Sequence, residues 1–427
     1  MSETTGGQPG AHDVLKGRNI AIGICGGIAA FKVASLVTAL RKRGAEVKVI
    51  MTRNAAEFVT PLTFSALTGR PVEVDMWADR TQDALTHISL QEFADAMLIC
   101  PATANVIGKV ANGIADDMLT TTIMAATYPV AFAPAMNAVM WANPAVATNI
   151  ATLRRRGYRI VGPESGRLAS GAEGAGRLVG LNALVSSIER MVAGDVPSTA
   201  DLSGRRLLIT GGPTREYLDP VRYIGNASSG KMGFALAEQA AAAGADVTLV
   251  TGAPPGDELS AACGSITVVP VVSAADMAAE VEALLPGVDV FIGAAAVADY
   301  TPANPSAQKL KKTGEGVTIE FEPTTDILRT VAHGSRRPAV VVGFAAESEQ
   351  LLDNAAAKLD AKNLDLIVAN DITEPGSGFG TDTNRVTILG RGDYRIDPPL
   401  MSKWAVAGVV VDEVARLLQQ QDVTAEQ

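Results

Sequence analysis

The chain opens the same supersecondary unit twice, and that repetition limits the fold more than any other feature. One unit begins at Leu15 with "LKGRNIAIGICGGIAA" and the other at Leu202 with "LSGRRLLITGGPT". Each is a short apolar strand running into a glycine turn. Each continues into an Ala-rich helix and then a second strand, "RGAEVKVIMT" (Arg43–Thr52) or "AGADVTLVTG" (Ala243–Gly252). A strand that feeds a glycine turn and a helix N-terminus presents backbone N–H groups and a positive dipole end to a phosphate. Two such openings predict two phosphate-bearing ligands.

The alternation continues after each opening. In the first half a helix interrupted at Pro61 is expected over Asn54–Gly69. Strand, turn and helix follow over Ala94–Ala126, a strand and loop over Pro129–Trp141, a strand over Tyr158–Pro163, and a helix over Asn182–Val192. In the second half strands are expected at Arg206–Thr210, Asp246–Thr251, Ile266–Val271, Asp289–Ala294, Ala339–Ala345 and Leu364–Ala369. Apolar strands alternating with helices predict mostly parallel sheets covered on both faces. The fold class is therefore α/β, with two doubly wound domains. Boundaries are placed at 1–14 (tail), 15–193 (first domain), 194–201 (linker, "GDVPSTAD"), 202–418 (second domain) and 419–427 (tail).

Bulk properties exclude several classes of function. The 427 residues carry a net charge of −10, which argues against a broad nucleic-acid surface while allowing a local cationic pocket. No apolar run approaches the ~20 residues that span a bilayer. The three cysteines, Cys25, Cys100 and Cys263, are scattered and lack metal spacing, which reads as a reduced, cytoplasmic chain.

The first half gathers residues suited to a flat ring and a phosphate. "GICGGIAAFK" (Gly23–Lys32) offers a backbone cradle but lacks the G-x-G-x-x-G spacing of a dinucleotide site, so a mononucleotide such as a flavin phosphate fits better. His87 is the one histidine of three that lies in neither a tail nor a lone loop. "CPATAN" (Cys100–Asn105) ends a strand in small and hydroxyl residues. "PAMNAVM" (Pro134–Met140) sets Asn137 between methionines, an amide able to hold a carboxylate beside side chains that pack softly on rings. The glycine-dense stretch "GRLASGAEGAGRL" spans Gly166–Leu178.

Taken together, these segments resemble the flavin-dependent cysteine decarboxylases over roughly residues 17–190. The resemblance implies a flavodoxin-like domain that binds FMN through Gly26, Gly27, Ile28, Ala29, Thr52, Ala102, Thr103, Asn105, Ala135 and Met136. It implies His87 as acid/base at the flavin and Asn137 as the clamp on the substrate carboxylate. The family's glycine clamp carries a cysteine that protonates the enethiolate; Ser170 stands there in this chain, a hydroxyl far less acidic than a thiol of pKa ~8.5. Gly27 likewise replaces the serine usual in the phosphate turn.

In the second half "GGPTREYLDPVRYIGNASSGKMG" (Gly211–Gly233) is long and polar, and ends in two serines, a glycine and Lys231 before a helix. It suits phosphate without the Walker spacing. "GAAAVADYTP" (Gly293–Pro302), the lysine-bearing loop around Lys309, "GFAAES" (Gly343–Ser348) and "AAAKLDAKNLD" (Ala355–Asp365) follow. The last puts Lys358 and Lys362 at i, i+4 on one helix face. This half resembles the bacterial CTP-dependent phosphopantothenate–cysteine ligases over roughly residues 203–415. That resemblance implies Asn226 at the acyl-cytidylate and Lys309 neutralising phosphate or the departing cytidylate. It implies CTP held by Gly293, Ala294, Ala295, Asp299, Lys309, Asp326, Ile327, Phe344, Lys358 and Lys362, with Mg²⁺ accompanying the triphosphate on unidentified ligands.

The two resemblances together imply consecutive steps on 4′-phosphopantothenate and cysteine, and a homo-oligomer of trimers and dimers, a dodecamer. One rival is a flavin/nicotinamide oxidoreductase, which would require a G-x-G-x-x-G that Gly211–Gly233 does not supply. Another is a flavoprotein regulatory subunit without decarboxylase activity; loss of His87 or Asn137 would favour it, and both are present.

Overall fold

A computed structural model describes residues 14–76, 92–168, 171–195, 198–254, 266–311, 318–347, 349–371, 373–374, 376–378 and 380–425. The described residues form two compact units, one within 14–195 and the other within 198–425.

The first unit is built on six parallel strands: β1 (Asn19–Ile24), β2 (Glu46–Met51), β3 (Val72–Glu73), β4 (Ala96–Ala102), β5 (Val130–Pro134) and β6 (Arg159–Ile160). Their order across the sheet is β3-β2-β1-β4-β5-β6. Without the two-residue edge strand β3, the five remaining strands run 2-1-3-4-5 in chain order, the flavodoxin-like arrangement, with its switch point between β1 and β4. Every residue of β4 and β5 is buried, as a sheet covered on both faces requires. Ile22, Leu36, Val49 and Leu98 fill one side, and Met97, Ile107, Leu119 and Phe132 the other.

The expected interrupted helix divides into Arg53–Ala56 and Pro61–Thr68, with Pro61 at the first helical position, where its missing N–H costs nothing. The glycine-dense stretch carried no predicted element. It is an antiparallel hairpin of β7 (Glu164–Arg167) and β8 (Glu173–Arg177), whose glycines disguise it because they carry no side chains to alternate. The helix Leu181–Val192 closes the unit.

The second unit holds an eight-stranded sheet. In chain order its members are β9 (Arg206–Gly211), β12 (Asp246–Thr251), β13 (Ile266–Pro270), β14 (Val290–Gly293), β17 (Val340–Glu347), β18 (Leu366–Asp371), β20 (Val386–Gly390) and β21 (Arg395–Ile396). The order is β13-β12-β9-β14-β17-β18-β20-β21, parallel through β18 and antiparallel in the last two pairings. Short pairs decorate it: β10 (Arg215–Tyr217) with β11 (Tyr223–Gly225), β15 (Tyr300–Pro302) with β16 (Phe321–Pro323), and β19 (Thr383–Asn384) with β22 (Met401–Ser402).

One boundary expectation needs adjustment. The final helix runs over Lys403–Ala425, past the residue-419 start expected for a tail, and Gln421 Nε2 donates to Ala339 O at 3.0 Å while Arg205 pairs with Asp422. The end of the expected linker is fastened to that helix. Asp412 Oδ1 accepts from Ser198 Oγ at 2.7 Å and from the backbone N–H groups of Thr199 and Ala200, both at 3.1 Å. Among the described residues no helix is long and apolar enough to cross a membrane.

Candidate functional sites

The glycine turn of the first unit follows β1 at the β1/β4 switch point. Cys25 N donates to Pro101 O at 3.3 Å and Thr52 N to Ile24 O at 2.9 Å, which joins the ends of β1, β2 and β4. Gly26 must be glycine, since a Cβ there would stand 2.5 Å from Asn54 Cβ. Gly27 is different: its backbone is extended and no atom lies within 4 Å of where a Cβ would project. The turn therefore offers open space beside backbone donors, which a phosphate fits. Ile28 and Ala29 begin the short 3-10 helix that continues from it, and Ile28 is exposed.

Two hydroxyls cap the neighbouring helices. Thr52 Oγ1 accepts from Ala55 N at 3.2 Å, and Thr103 Oγ1 accepts from Val106 N at 3.4 Å. Both face a cavity of ≈ 350 Å³ that also takes in Gly26, Asn54, Asn105 and Lys109. Of the ten residues expected to bind FMN, Gly26, Thr52, Thr103 and Asn105 line this cavity. Ala102 is buried at the end of β4, and Ala135 N donates to its carbonyl at 3.1 Å.

Asn137 caps the short helix Ala138–Trp141, its Oδ1 accepting from Val139 N at 2.8 Å. That bond fixes the amide, which is exposed. The β7–β8 hairpin lies against the same turn: Met136 N donates to Gly176 O at 2.9 Å, and a Cβ on Gly174 would come within 2.8 Å of Ala138 Cβ. The glycine clamp and the Asn137 turn thus form one assembly. His87 and Ser170 lie outside the described residues.

Lys109 is a cavity residue the sequence reading missed. Its Nζ donates to Asp116 at 2.7 Å and Asp117 at 3.1 Å, and Asp116 raises its pKa most. The available signal was its position four residues after Asn105, on the same helical face. Cys25 and Cys100 are buried on opposite sides of the sheet; burial pushes the Cys25 thiol up to about 12 and Cys100 higher than its usual range as well.

In the second unit the candidate residues collect at the carboxyl ends of β9, β14 and β17, the switch-point edge. Gly293 pairs with Thr210 on one side and Gly343 on the other. Ala294 N donates to Thr210 O at 3.1 Å, and Ala295 N to Thr210 Oγ1 at 3.4 Å. Asn226, in the polar loop, reaches the same edge: its Nδ2 donates to Ala296 O at 3.2 Å and Val297 O at 3.0 Å. Asp299 is exposed beside them, and its carbonyl accepts from Thr324 N at 2.9 Å. Two residues on, Asp326 caps the helix Ile327–His333 and pairs with Lys362 Nζ at 2.9 Å, placing Ile327 in the core at the helix start. Phe344 is half-buried in β17.

The expected Lys358/Lys362 face divides. Lys358 belongs to the helix Leu351–Ala361 and pairs with Glu347 at 2.5 Å, whereas Lys362 stands just past the helix end and turns to Asp326. Lys309 is exposed, on a loop held by a clamp the sequence reading also missed. The buried Asp219 accepts from Arg222 Nε at 2.9 Å and from Leu310 N at 3.1 Å, while Arg222 Nη2 donates to Leu310 O at 2.7 Å. The Arg222 guanidinium holds the Asp219 carboxyl well below the usual carboxylate range.

Comparison with known proteins finds a separate match for each half of the chain. Residues 11–193 match the Flavoprotein family model, and residues 202–418 match the DNA/pantothenate metabolism flavoprotein C-terminal domain. The coenzyme A biosynthesis bifunctional protein CoaBC of Bacillus subtilis (strain 168) is 45% identical over 407 residues, covering 95% of this chain and 99% of the relative. That of Escherichia coli (strain K12) is 40% identical over 408 residues, covering 94% and 97%. The chain belongs to the CoaBC family. It is a bifunctional enzyme of coenzyme A biosynthesis with phosphopantothenoylcysteine decarboxylase and phosphopantothenate–cysteine ligase activities. Among solved structures, the C-terminal domain of a CoaBC protein is 38% identical, covering 51% of this chain and 98% of that one, with a TM-score of 0.42.

Proposed function

We propose that the first unit carries the decarboxylase with FMN at the β1/β4 switch point, and that the second carries a CTP-dependent ligase at the β9/β14 switch point. The observation that supports this division is that each switch point has its own set of polar residues, borne by its own sheet.

In the ligase half the carboxylate of 4′-phosphopantothenate attacks the α-phosphorus of CTP, and pyrophosphate leaves. The cysteine amine then attacks the acyl carbon, forming the amide and releasing CMP. Asn226, held against the β14 edge, stabilises charge at the acyl-cytidylate. Lys309 neutralises the phosphate or departing cytidylate from its clamped loop. Gly293, Ala294 and Ala295 allow close approach to the strand end, Phe344 stacks on the base, and Asp299, Asp326, Ile327, Lys358 and Lys362 complete the CTP site. Mg²⁺ would accompany the triphosphate and neutralise part of its charge.

In the decarboxylase half, FMN when bound would supply the two-electron acceptor and hydride donor for the substrate thiol. Gly26–Ala29 and Thr52 would hold its phosphate end, and Ala102, Thr103, Asn105, Ala135 and Met136 would flank its ring. Asn137 aligns the substrate carboxylate so that carbon dioxide departs into the π system. His87 moves the thiol proton, and Ser170 relays one to the enethiolate. We place the enzyme in the cytoplasm, as a homo-oligomer of trimers and dimers up to a dodecamer. The exposed Ile28 and Phe31 (61% and 59%) beside the flavin turn, and Tyr223 and Ile224 on the β10–β11 hairpin, support the oligomer.

Paired substitutions test the division. His87→Asn is expected to abolish carbon dioxide release and leave CMP formation intact, and Asn226→Asp to impair CMP formation alone. A folded variant that loses both activities from one substitution would contradict the two-site reading.

A further inference from the structure

Two lysines of the second unit gather at Asp382, Lys231 through its ammonium and Lys403 through its backbone N–H, and neither belongs to the nucleotide site proposed above. Lys231 opens the helix Lys231–Ala242 at the end of the Asn226–Gly230 loop; its Nζ donates to Asp382 Oδ1 at 2.5 Å and to Gly380 O at 3.5 Å. Lys403 opens the final helix, which packs beside the first through Gln239 Nε2 on Trp404 O at 3.0 Å and Trp404 Nε1 on Glu238 Oε2 at 3.1 Å. Its backbone N donates to Asp382 O at 2.9 Å, and its Nζ to Gly378 O at 2.9 Å.

Lys403 is only 8% exposed, and its ammonium meets a carbonyl rather than a carboxylate. Lysine is seldom buried without a counter-charge. Burial first, and then the neighbouring Lys231, lower its pKa to about 8. Both cations also occupy first helical turns, where the helix dipole opposes positive charge. Both placements carry an electrostatic cost in the folded chain. An anion arriving between the two ammonium groups would relieve all three costs. Asp382 is largely exposed and pairs with Lys231; its charge also acts on the Lys403 ammonium, but burial and Lys231 outweigh it.

The geometry points to a subsite for a phosphate monoester dianion, formed by Lys231 and Lys403, which binds the phosphate of the 4′-phosphopantothenate substrate. This rests on the proposed ligase reading. The loop orders the two ends of that substrate: Asn226 at the reacting acyl group, and Lys231 five residues further along at the phosphate. Ser228, whose Oγ accepts from Gly230 N at 3.4 Å, lies between them. The triphosphate has its own cations in Lys309, Lys358 and Lys362, so the substrates' phosphates would not compete.

The test is steady-state ligation by the full chain, varying 4′-phosphopantothenate and CTP separately, with unphosphorylated pantothenate as a third substrate. Lys403→Met and Lys231→Gln are each expected to raise the KM for 4′-phosphopantothenate by about 10-fold or more, the loss of one charge-assisted contact. The KM for CTP should stay within about 2-fold, and the discrimination against unphosphorylated pantothenate should shrink by the same factor as the first KM rises. Lys403→Arg, which keeps the charge, should recover most of the affinity. Lys231 is exposed, so Lys231→Gln reports on binding even where Lys403→Met fails to fold. A rise in the CTP constant alone, or unchanged constants in both folded variants, would overturn the subsite. A wild-type chain that forms no CMP from CTP would instead overturn the ligase reading on which it rests.

Discussion

Gly176 approaches Met136 so closely that a Cβ on it would stand 2.2 Å from the Met136 carbonyl oxygen. Its φ of 144° lies where L side chains are strained, and its own carbonyl accepts from Met136 N at 2.9 Å. The β7–β8 hairpin is thereby pinned to the turn that presents Asn137. Gly176→Ala should cost about 1–3 kcal/mol locally through strain and displace the hairpin. Carbon dioxide release should fall by at least about 10-fold, while CMP release, from the other unit, stays unchanged. Assaying both products on one preparation checks this, and unchanged carbon dioxide release would show that the hairpin does not serve the decarboxylase.

Asp219 is buried yet collects the β10–β11 turn and the Lys309 loop on one carboxylate. Asp219→Asn keeps the shape but loses the ion pair with Arg222, so Lys309 should lose its position. Ligation should slow by about 10²-fold, the scale of a small misplacement at a reacting centre. Because the folded carboxyl titrates below its unfolded value, its stabilisation is present above the usual carboxylate pKa and lost as pH falls through the folded one. Acid unfolding of the wild type should therefore show a step that the variant lacks.

Lys403 differs in that the fold disfavours its charged form. Its folded pKa of about 8 lies below the ordinary lysine value of ~10.4, so between the two the unfolded chain binds a proton that the folded chain does not. Stability should rise with pH across that window, by at most about 1.4 kcal/mol per pH unit from this group. Below pH ~8 the full cost of burying the charge remains. Denaturant titrations of the wild type and Lys403→Met at pH 7, 8.5 and 10 compare the two slopes, and identical slopes would contradict the assignment.

The buried thiols make a further prediction. With Cys25 pushed up to about 12 and Cys100 raised by burial and by its neighbour, neither forms appreciable thiolate near neutral pH. Alkylation at pH 8 followed by peptide mass spectrometry should find both unmodified in the native enzyme and both modified after denaturation. Modification of either in the folded enzyme would show that its strand opens.

Much of the fold was legible because continuous apolar strands such as "AMLICPA" cannot be anything but buried in an α/β sheet. The strand set Arg206–Thr210 through Leu364–Ala369 was readable for the same reason. The β7–β8 hairpin was not, since its pairing rests on backbone bonds between glycines that leave no periodicity. Asn226 and the Gly293–Ala295 strand end were reached through the resemblance of the polar loop and strand end that carry them, not through spacing. The Asp219 clamp and the Lys231–Lys403 pair were invisible for another reason. They join residues far apart in the chain, as with Lys403 and Gly378 or Asp219 and Leu310, and no local spacing records that.

The central claim is that one chain runs two chemistries in sequence at two separate sites. Its most direct test is product analysis by mass spectrometry after incubating the FMN-loaded enzyme with 4′-phosphopantothenate, cysteine, CTP and Mg²⁺. The account predicts phosphopantetheine, with CMP and carbon dioxide in equal amounts. Absence of CMP, or a stall at the cysteine adduct without carbon dioxide, would contradict it.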